Sequence, residues 1–355
     1  SRFGGEDDWK GNICQTNVGG DGKVILVQLW SGDYSRIDVP GDAVDNDNMG
    51  DFADIDAKTC EGIIVDGNDG VPSNGTPIRI IGVNDSWIED GTYAVFDARG
   101  QATNCIRIDD KDGWYWSNLE LDDATGSNVR PSSAHVYSHV WLNCYSHDAG
   151  SHGWGDDTRA FAESVWIGCR AIQNQGYGIR YVYHSQFVNC QVLNNSGTGI
   201  YLGGSGGAVL NCVIHNNGGY GVIANAAPSV ISQCVIDGNG SHGVYASVGG
   251  VTVAFCSITN NNYGLYGSTA VVHDLWNYFG GNTGDTGGSL IVSTWKGSDT
   301  RLTGGQQGYE DPANGIFNRT PGATGYRREV GIGGGNYVRA TCGLPTILKR
   351  PLGRI

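Results

Sequence analysis

Between residues 140 and 278 a short pattern returns at a nearly fixed interval. The segments VWLNCYSHDAG, VWIGCRAIQNQG, QFVNCQVLNNSG, AVLNCVIHNNGG, VISQCVIDGNGS and VAFCSITNNN align on Cys144, Cys169, Cys190, Cys212, Cys234 and Cys256. Successive spacings are 25, 21, 22, 22 and 22 residues. A unit this short cannot bury an apolar face alone, so a chain that repeats it must stack the units into a solenoid. The 58 glycines among 355 residues and the absence of a long amphipathic helical pattern point the same way.

Each unit can be read residue by residue. Alternation at Val188, Cys190 and Val192, or Leu210, Cys212 and Ile214, predicts a short strand with one buried face. Five residues after the cysteine stand Asn174, Asn195, Asn217, Asn239 and Asn261, which predicts a turn in left-handed geometry. Nine residues after the cysteine come Gly153, Gly178, Gly199, Gly221 and Gly243, with Gly264 one place early. Each glycine precedes an apolar residue expected to point inward: Trp154, Ile179, Ile200, Val222, Val244 and Leu265. The unit is therefore strand, Asn turn, Gly turn, second strand and return. Leu119 falls in the column of Cys144, and Tyr278, 22 residues after Cys256, is expected to be its last rung.

The NC-x-V-I-x-N-N units resemble those of right-handed parallel β-helix proteins, the group that includes pectate lyases and phage tailspikes. The resemblance covers most of the chain. It implies an all-β solenoid with coils about 4.8 Å apart, so that like residues form ladders along the axis. It implies no single activity, because that fold hosts lyases, hydrolases, adhesins and virion parts. The expected division is an N-terminal arm or cap over 1–22, the β-helix over 23–285 with an acidic insertion at 42–56, and a C-terminal cap with an extended basic tail over 286–355. KVILVQLWSGDYSRIDVP is similar to an opening coil, and GYEDPANGIFNRTPGATGYRREV to a closing segment.

Charge narrows the partners. The net charge of −14 and pI near 4.8 disfavour nucleic acid and anionic membranes, and repel a polyanionic glycan unless cations intervene. No apolar run approaches the roughly 18 residues that span a bilayer. Ser1 at the start fits cytosolic synthesis with loss of methionine, and equally a cleaved signal. Ten cysteines fit a secreted disulfide scaffold, but six of them share one inward column, where reduced core thiols are expected. No CxxC or zinc-type Cys/His spacing occurs.

The densest polar cluster is HDAGSHGWGDDTR, with His147, Asp148, His152, Asp156, Asp157 and Arg159 in the longest unit. Paired carboxylates beside histidine and arginine suit acid/base chemistry or a cation, with Arg180 as a further catalytic candidate. Against this, Asp148 and Gly153 occupy ordinary turn columns. His152 shares its column with Tyr177, Thr198, Tyr220 and His242, and the neighbouring column holds Arg180, Tyr201, Ile223, Tyr245 and Tyr266. With Tyr263 these make an exterior stripe that suits sugar faces or a protein partner; tyrosines stacking on one another need no ligand at all. Trp141, Trp166, Phe187, Val209, Ile231 and Val253 face outward by alternation unless the coil bends there. Asp45, Asp47, Asp51 and Asp56 approach a calcium loop, with Met49 at a ligand position.

The motifs of fold-sharing enzymes are incomplete. Polygalacturonase-like hydrolases carry N-T-D, D-D, G-H-G and R-I-K; here Asp109-Asp110 and Asp156-Asp157 are bare pairs, Ser-His-Gly stands at 151–153 and 241–243, and Arg107-Ile108 leads into Asp109. A pectate-lyase-like calcium trio beside Arg159 or Arg180 is missing too. The sequence therefore favours a non-enzymatic structural or surface β-helix of a virion or extracellular assembly. It requires no cofactor, admits calcium, contacts other subunits through its basic tail, and offers its stripe to a polysaccharide. The alternative is a polysaccharide lyase or glycoside hydrolase.

Overall fold

A computed structural model describes residues 91–294 apart from positions 92, 99, 101–102, 109–112, 132–133, 205, 226–227, 248–249 and 276. It also describes the strands Ile13–Gln15, Ile25–Trp30, Glu61–Val65, Ile78–Val83, Arg301–Leu302, Tyr309–Asp311 and Ile316–Arg319. The acidic insertion, with Asp45, Asp47, Asp51 and Asp56, lies outside the described residues, as do Asp109, Asp110 and the basic tail.

The chain winds through about eight coils whose three faces are sheets of twelve, ten and eight strands among the described residues, here sheets A, B and C, parallel throughout except where Ile13–Gln15 pairs antiparallel with Ile25–Trp30 at the edge of A. One coil runs Ser185–Val188 in sheet A, Gln191–Leu193 in B and Ile200–Leu202 in C. The next runs Gly207–Leu210, Val213–His215 and Val222–Ala224 in the same order. Strand register equals the sequence period: Phe187 pairs with Val209, Val192 with Ile214, and Tyr201 with Ile223. The described residues contain no helix.

A single residue makes the corner between sheets A and B. Asn143, Asn189 and Asn211 take φ of 50°, 56° and 53°, the left-handed region that asparagine tolerates. Inserting one such residue reverses the inward-outward alternation across the corner. Trp141, Trp166, Phe187, Val209, Ile231 and Val253 are consequently core, all fully buried, and not an exterior strip. Val188 and Leu210 point outward instead and are half-buried. Trp116 and Trp141 stack at 4.9 Å, and Trp166 on Phe187 at 4.8 Å, filling the interior behind sheet A.

The cysteine column lies in the core as expected, with all six thiols free and almost completely buried. Each donates to carbonyls; Cys190 Sγ, for example, lies 3.4 Å from Trp166 O. Burial pushes the thiols of Cys169, Cys212 and Cys256 well up, so they behave as small apolar groups. Leu119 joins the column, since its neighbour Glu120 pairs with Tyr145. The rung after Cys256 is Asn277, which accepts the Cys256 N–H at 2.7 Å; Tyr278 pairs with Ser257 one place on.

The asparagine column also differs from expectation. The left-handed residue is the one before it, at Asn194, Asn216 and Asn260 with φ of 58°, 53° and 56°. Asn174, Asn195, Asn217, Asn239 and Asn261 are buried and form an amide ladder, the first four Nδ2 groups each donating to the next Oδ1 at 2.8–3.0 Å and that of Asn261 to Asn282 at 3.3 Å. The glycine column is needed for close approach: a Cβ on Gly221 would lie 2.6 Å from the carbonyl oxygen of Gly243.

The longer upper coils split sheet C. Val129–Pro131 and His135–Tyr137 are separate strands, and in the next coil Trp154 bridges Val129 and Ile179 while Ala160–Ala162 forms its own strand. Both lines merge at Ile179–Tyr183, where the register shifts. The extra residues of the 25-residue coil are thus spent on the loop 155–159, over the top of sheet C.

Candidate functional site

Five coils of sheet C present outward rings directly below that loop. The column His152, Tyr177, Thr198, Tyr220, His242 and Tyr263 lines one side, and Arg180, Tyr201, Ile223, Tyr245 and Tyr266 the other. Tyr201 meets Tyr177 edge-on at 6.3 Å and Tyr181 face-on at 5.4 Å. Tyr220 lies 5.1 Å from Tyr245, which stacks on Tyr266 at 6.1 Å. Ile223 interrupts the second column and is nearly covered by its neighbours. The rings of Tyr177, Tyr201, Tyr245 and Tyr266 remain half-exposed.

At the top of the stripe the loop 155–159 delivers Asp156 and Asp157 to a group of cations. Arg130 Nε donates to Asp156 Oδ2 at 2.8 Å, with Arg159 3.7 Å from the same oxygen. Thr158 donates both its N–H and its hydroxyl to Asp156 Oδ1. Burial alone raises the Asp156 pKa, but these donors and Arg130 outweigh it and hold the carboxyl below its ordinary range. Arg180 lies 2.8 Å from Asp157 Oδ1 and 4.2 Å over the ring of Tyr177.

His152 is committed by this arrangement. Its Nδ1 accepts the N–H of Tyr177 at 3.0 Å, and its Nε2 lies 3.2 Å from Asp157 Oδ1. The proton therefore sits on Nε2, directed at a carboxylate, and no lone pair remains for a substrate. Burial lowers its pKa, reinforced by the Arg180 charge and partly offset by Asp157. A neutral, doubly hydrogen-bonded imidazole is a brace for the loop and a poor general base.

His147 and Asp148 do not join this group, contrary to the single cluster expected from HDAGSHGWGDDTR. They sit at the end of a sheet B strand, before the corner at Asp148, and face another side of the solenoid. Nδ1 of His147 is 2.8 Å from Asp148 Oδ2 and 3.1 Å from Asp122 Oδ1, and Nε2 is 3.1 Å from Glu120 Oε1. Burial would depress its pKa, yet the three carboxylates overturn that and push it up to about 10. Tyr145 stacks on the imidazolium at 4.2 Å, with Arg170 on that tyrosine at 4.0 Å. Ligand atoms of Asp122, His147 and Asp148 lie within 4.8 Å of one another, close enough to share a cation. The protonated imidazole has no lone pair to give one, so proton and metal compete for the same nitrogen.

Arg130, Glu120, Asp122, Tyr145, Arg170 and Tyr181 were not singled out by the sequence reading. Coil spacing locates Arg130 and Glu120: Arg130 stands 25 residues before Gly155, which precedes Arg180 by another 25, and Glu120 pairs with Tyr145 at the same interval.

The sequence profile described as "Right handed beta helix region" matches residues 53–229 and 104–283, more than half the chain. The chain belongs to the right-handed β-helix family. Among solved structures, this β-helix is similar to pectate lyase Pel9A, with TM-score 0.55 and 17% identity over 83% of this chain and 77% of that one. The A-module of Azotobacter vinelandii mannuronan C-5 epimerase AlgE4 gives 0.44 and 13% over 79% and 91%. ORF18 of Geobacillus virus E2 gives 0.39 and 13% over 79% and 56%. These likenesses concern the fold. No curated protein matches the sequence significantly.

Proposed function

We propose that this β-helix is a non-catalytic surface protein that holds an extended glycan along sheet C. One observation carries the reading: half-exposed rings recur coil after coil from Tyr177 to Tyr266, while the acid/base candidates beside them are already paired with one another. Ring faces pack against the C–H faces of sugars, and a ladder with a rise of about 4.8 Å per coil meets a polymer at regular intervals. Membership of a virion or extracellular assembly belongs to the same proposal, with Lys349, Arg350 and Arg354 as the attachment to an acidic partner subunit. Assembly unchanged on removing residues 341–355 contradicts that attachment.

The second reading, a polysaccharide lyase or glycoside hydrolase, draws on the carboxylates of Asp156 and Asp157 overhanging the same face among three arginines. A glycan panel scored for binding and for turnover separates the two. The binding reading expects retention without cleavage, lost in Tyr201→Ala and Tyr245→Ala. Turnover abolished by Asp156→Ala or His152→Ala establishes the enzyme instead.

A further inference from the structure

The ring stripe is not chemically uniform. Its upper end carries Arg130, Arg159 and Arg180, all engaged with Asp156 or Asp157. Below Arg180 the sequence contains no lysine or arginine until Lys296, and its only carboxylates there are Asp237, Asp274 and Asp285. Asp237 is occupied by His215, Thr259 and Asn260, and Asp274 is buried and bonded to Asn277. Four successive coils of the stripe thus offer rings and hydroxyls with no cation of their own. They have no carboxylate cluster to recruit one either.

At the lower end three tyrosines gather around His242. Tyr266 stacks on the imidazole at 4.1 Å, and Tyr220 and Tyr263 meet it edge-on at 5.3 and 5.4 Å. His242 is 9% exposed, and its ring has no hydrogen-bond partner among the described residues; Nδ1 is covered by protein, whereas Nε2 is not. The contrast with His152 in the same column is direct, because there a backbone N–H and a carboxylate engage both nitrogens. A largely buried imidazole without hydrogen bonds is costly, and Nε2 is the nitrogen that a ligand hydroxyl can reach.

We infer that the lower stripe, Tyr220, His242, Tyr245, Tyr263 and Tyr266, is a subsite for a neutral sugar, which lies against the tyrosine faces and hydrogen-bonds the imidazole through a hydroxyl. This rests on the glycan reading above and adds the ligand class. A uronate chain brought here meets a body of charge −14 with nothing to neutralise its carboxylates. A neutral pyranose has no such penalty, and its hydroxyls donate or accept as the imidazole requires. Burial lowers the His242 pKa, so the ring stays uncharged at neutral pH, in keeping with a neutral ligand.

The test titrates the whole chain with hexasaccharides of neutral sugars (glucan, xylan, mannan and galactan series) and of galacturonate and mannuronate, at one salt concentration. The expected result is at least one neutral series binding about tenfold or more tighter than both uronates. Its affinity should fall by about tenfold in His242→Phe, which keeps a ring and removes the nitrogens, and in Tyr266→Ala. Thermal unfolding of both variants establishes that they fold. Uronates binding tighter than every neutral series overturn this inference and leave the stripe as a glycan site. So does neutral binding that survives His242→Phe and Tyr266→Ala but is lost in Tyr177→Ala. Binding of no glycan at all overturns the stripe reading itself.

Discussion

Single residues in this protein act through what the neighbouring coil places above and below them. His147 holds its proton because Glu120 and Asp122 come from one coil and Asp148 from its own. An unfolded imidazole titrates near 6.5, and the folded one near 10. Since the folded state binds the proton more tightly, the ion pairs contribute fully below about pH 6.5 and are lost as pH rises towards about 10. Urea midpoints at pH 6 and pH 10 should therefore differ more in the wild type than in His147→Gln; identical pH dependence refutes the assignment. Gly221 is a second case. A methyl group there meets the Gly243 carbonyl at 2.6 Å and Ile236 at the same distance, so Gly221→Ala should cost about 1–3 kcal/mol by overpacking, read as a lower urea midpoint.

The legibility of such sites from sequence differs residue by residue. His152 and Arg180, in neighbouring columns one coil apart, meet at Asp157. His147 and Asp148 separate from them because one left-handed residue turns the chain onto another face, and five residues of sequence span that corner. Arg130 escaped notice because its coil precedes the regular cysteine units. The calcium-like loop at Asp45–Asp56 lies outside the described residues. Polar contacts at a corner depend on which rotamers neighbouring coils permit, and periodicity carries no information about that.

Among elements, the asparagine ladder ties successive coils together. Each buried amide both donates and accepts along the axis, and its Oδ1 also receives the backbone N–H of the coil above, as Asn217 Oδ1 does from Asn195 at 3.1 Å. Asn217→Ala leaves the Asn195 N–H without a partner, a cost of about 1–3 kcal/mol for a buried group, and leaves its Nδ2 with the Ala171 carbonyl alone. Asn217→Asp should be worse near neutral pH than at pH 3, because a carboxylate there has no cation to pair with. An Asn217→Asp loss of urea midpoint, relative to the wild type at the same pH, that is equal at pH 7 and pH 3 contradicts that view. The ladder's position was legible from the period. Its backbone geometry was not, because asparagine fits either place and the sequence repeats two asparagines side by side at 194–195 and 216–217.

For the whole molecule, the fold follows from register: a 22-residue period maps every column onto itself, so core, corners and stripe repeat together. One consequence is chemical. The seven described cysteines, Cys105 and the six of the ladder, are buried and free, and should resist a thiol reagent in the folded protein. They should become reactive in one cooperative step with urea; graded labelling in native buffer contradicts a closed core. The other consequence is functional, because a binding surface built from repeated coils reads length. The most direct measurement is affinity against oligosaccharide length for the glycan that binds best. The five coils from Tyr177 to Tyr266 span about 19 Å at about 4.8 Å per coil, so affinity should climb with each added sugar until the ligand covers them, then level off. An affinity already complete with one or two sugars, or unchanged when Tyr201 and Tyr245 are both replaced by alanine, contradicts the account.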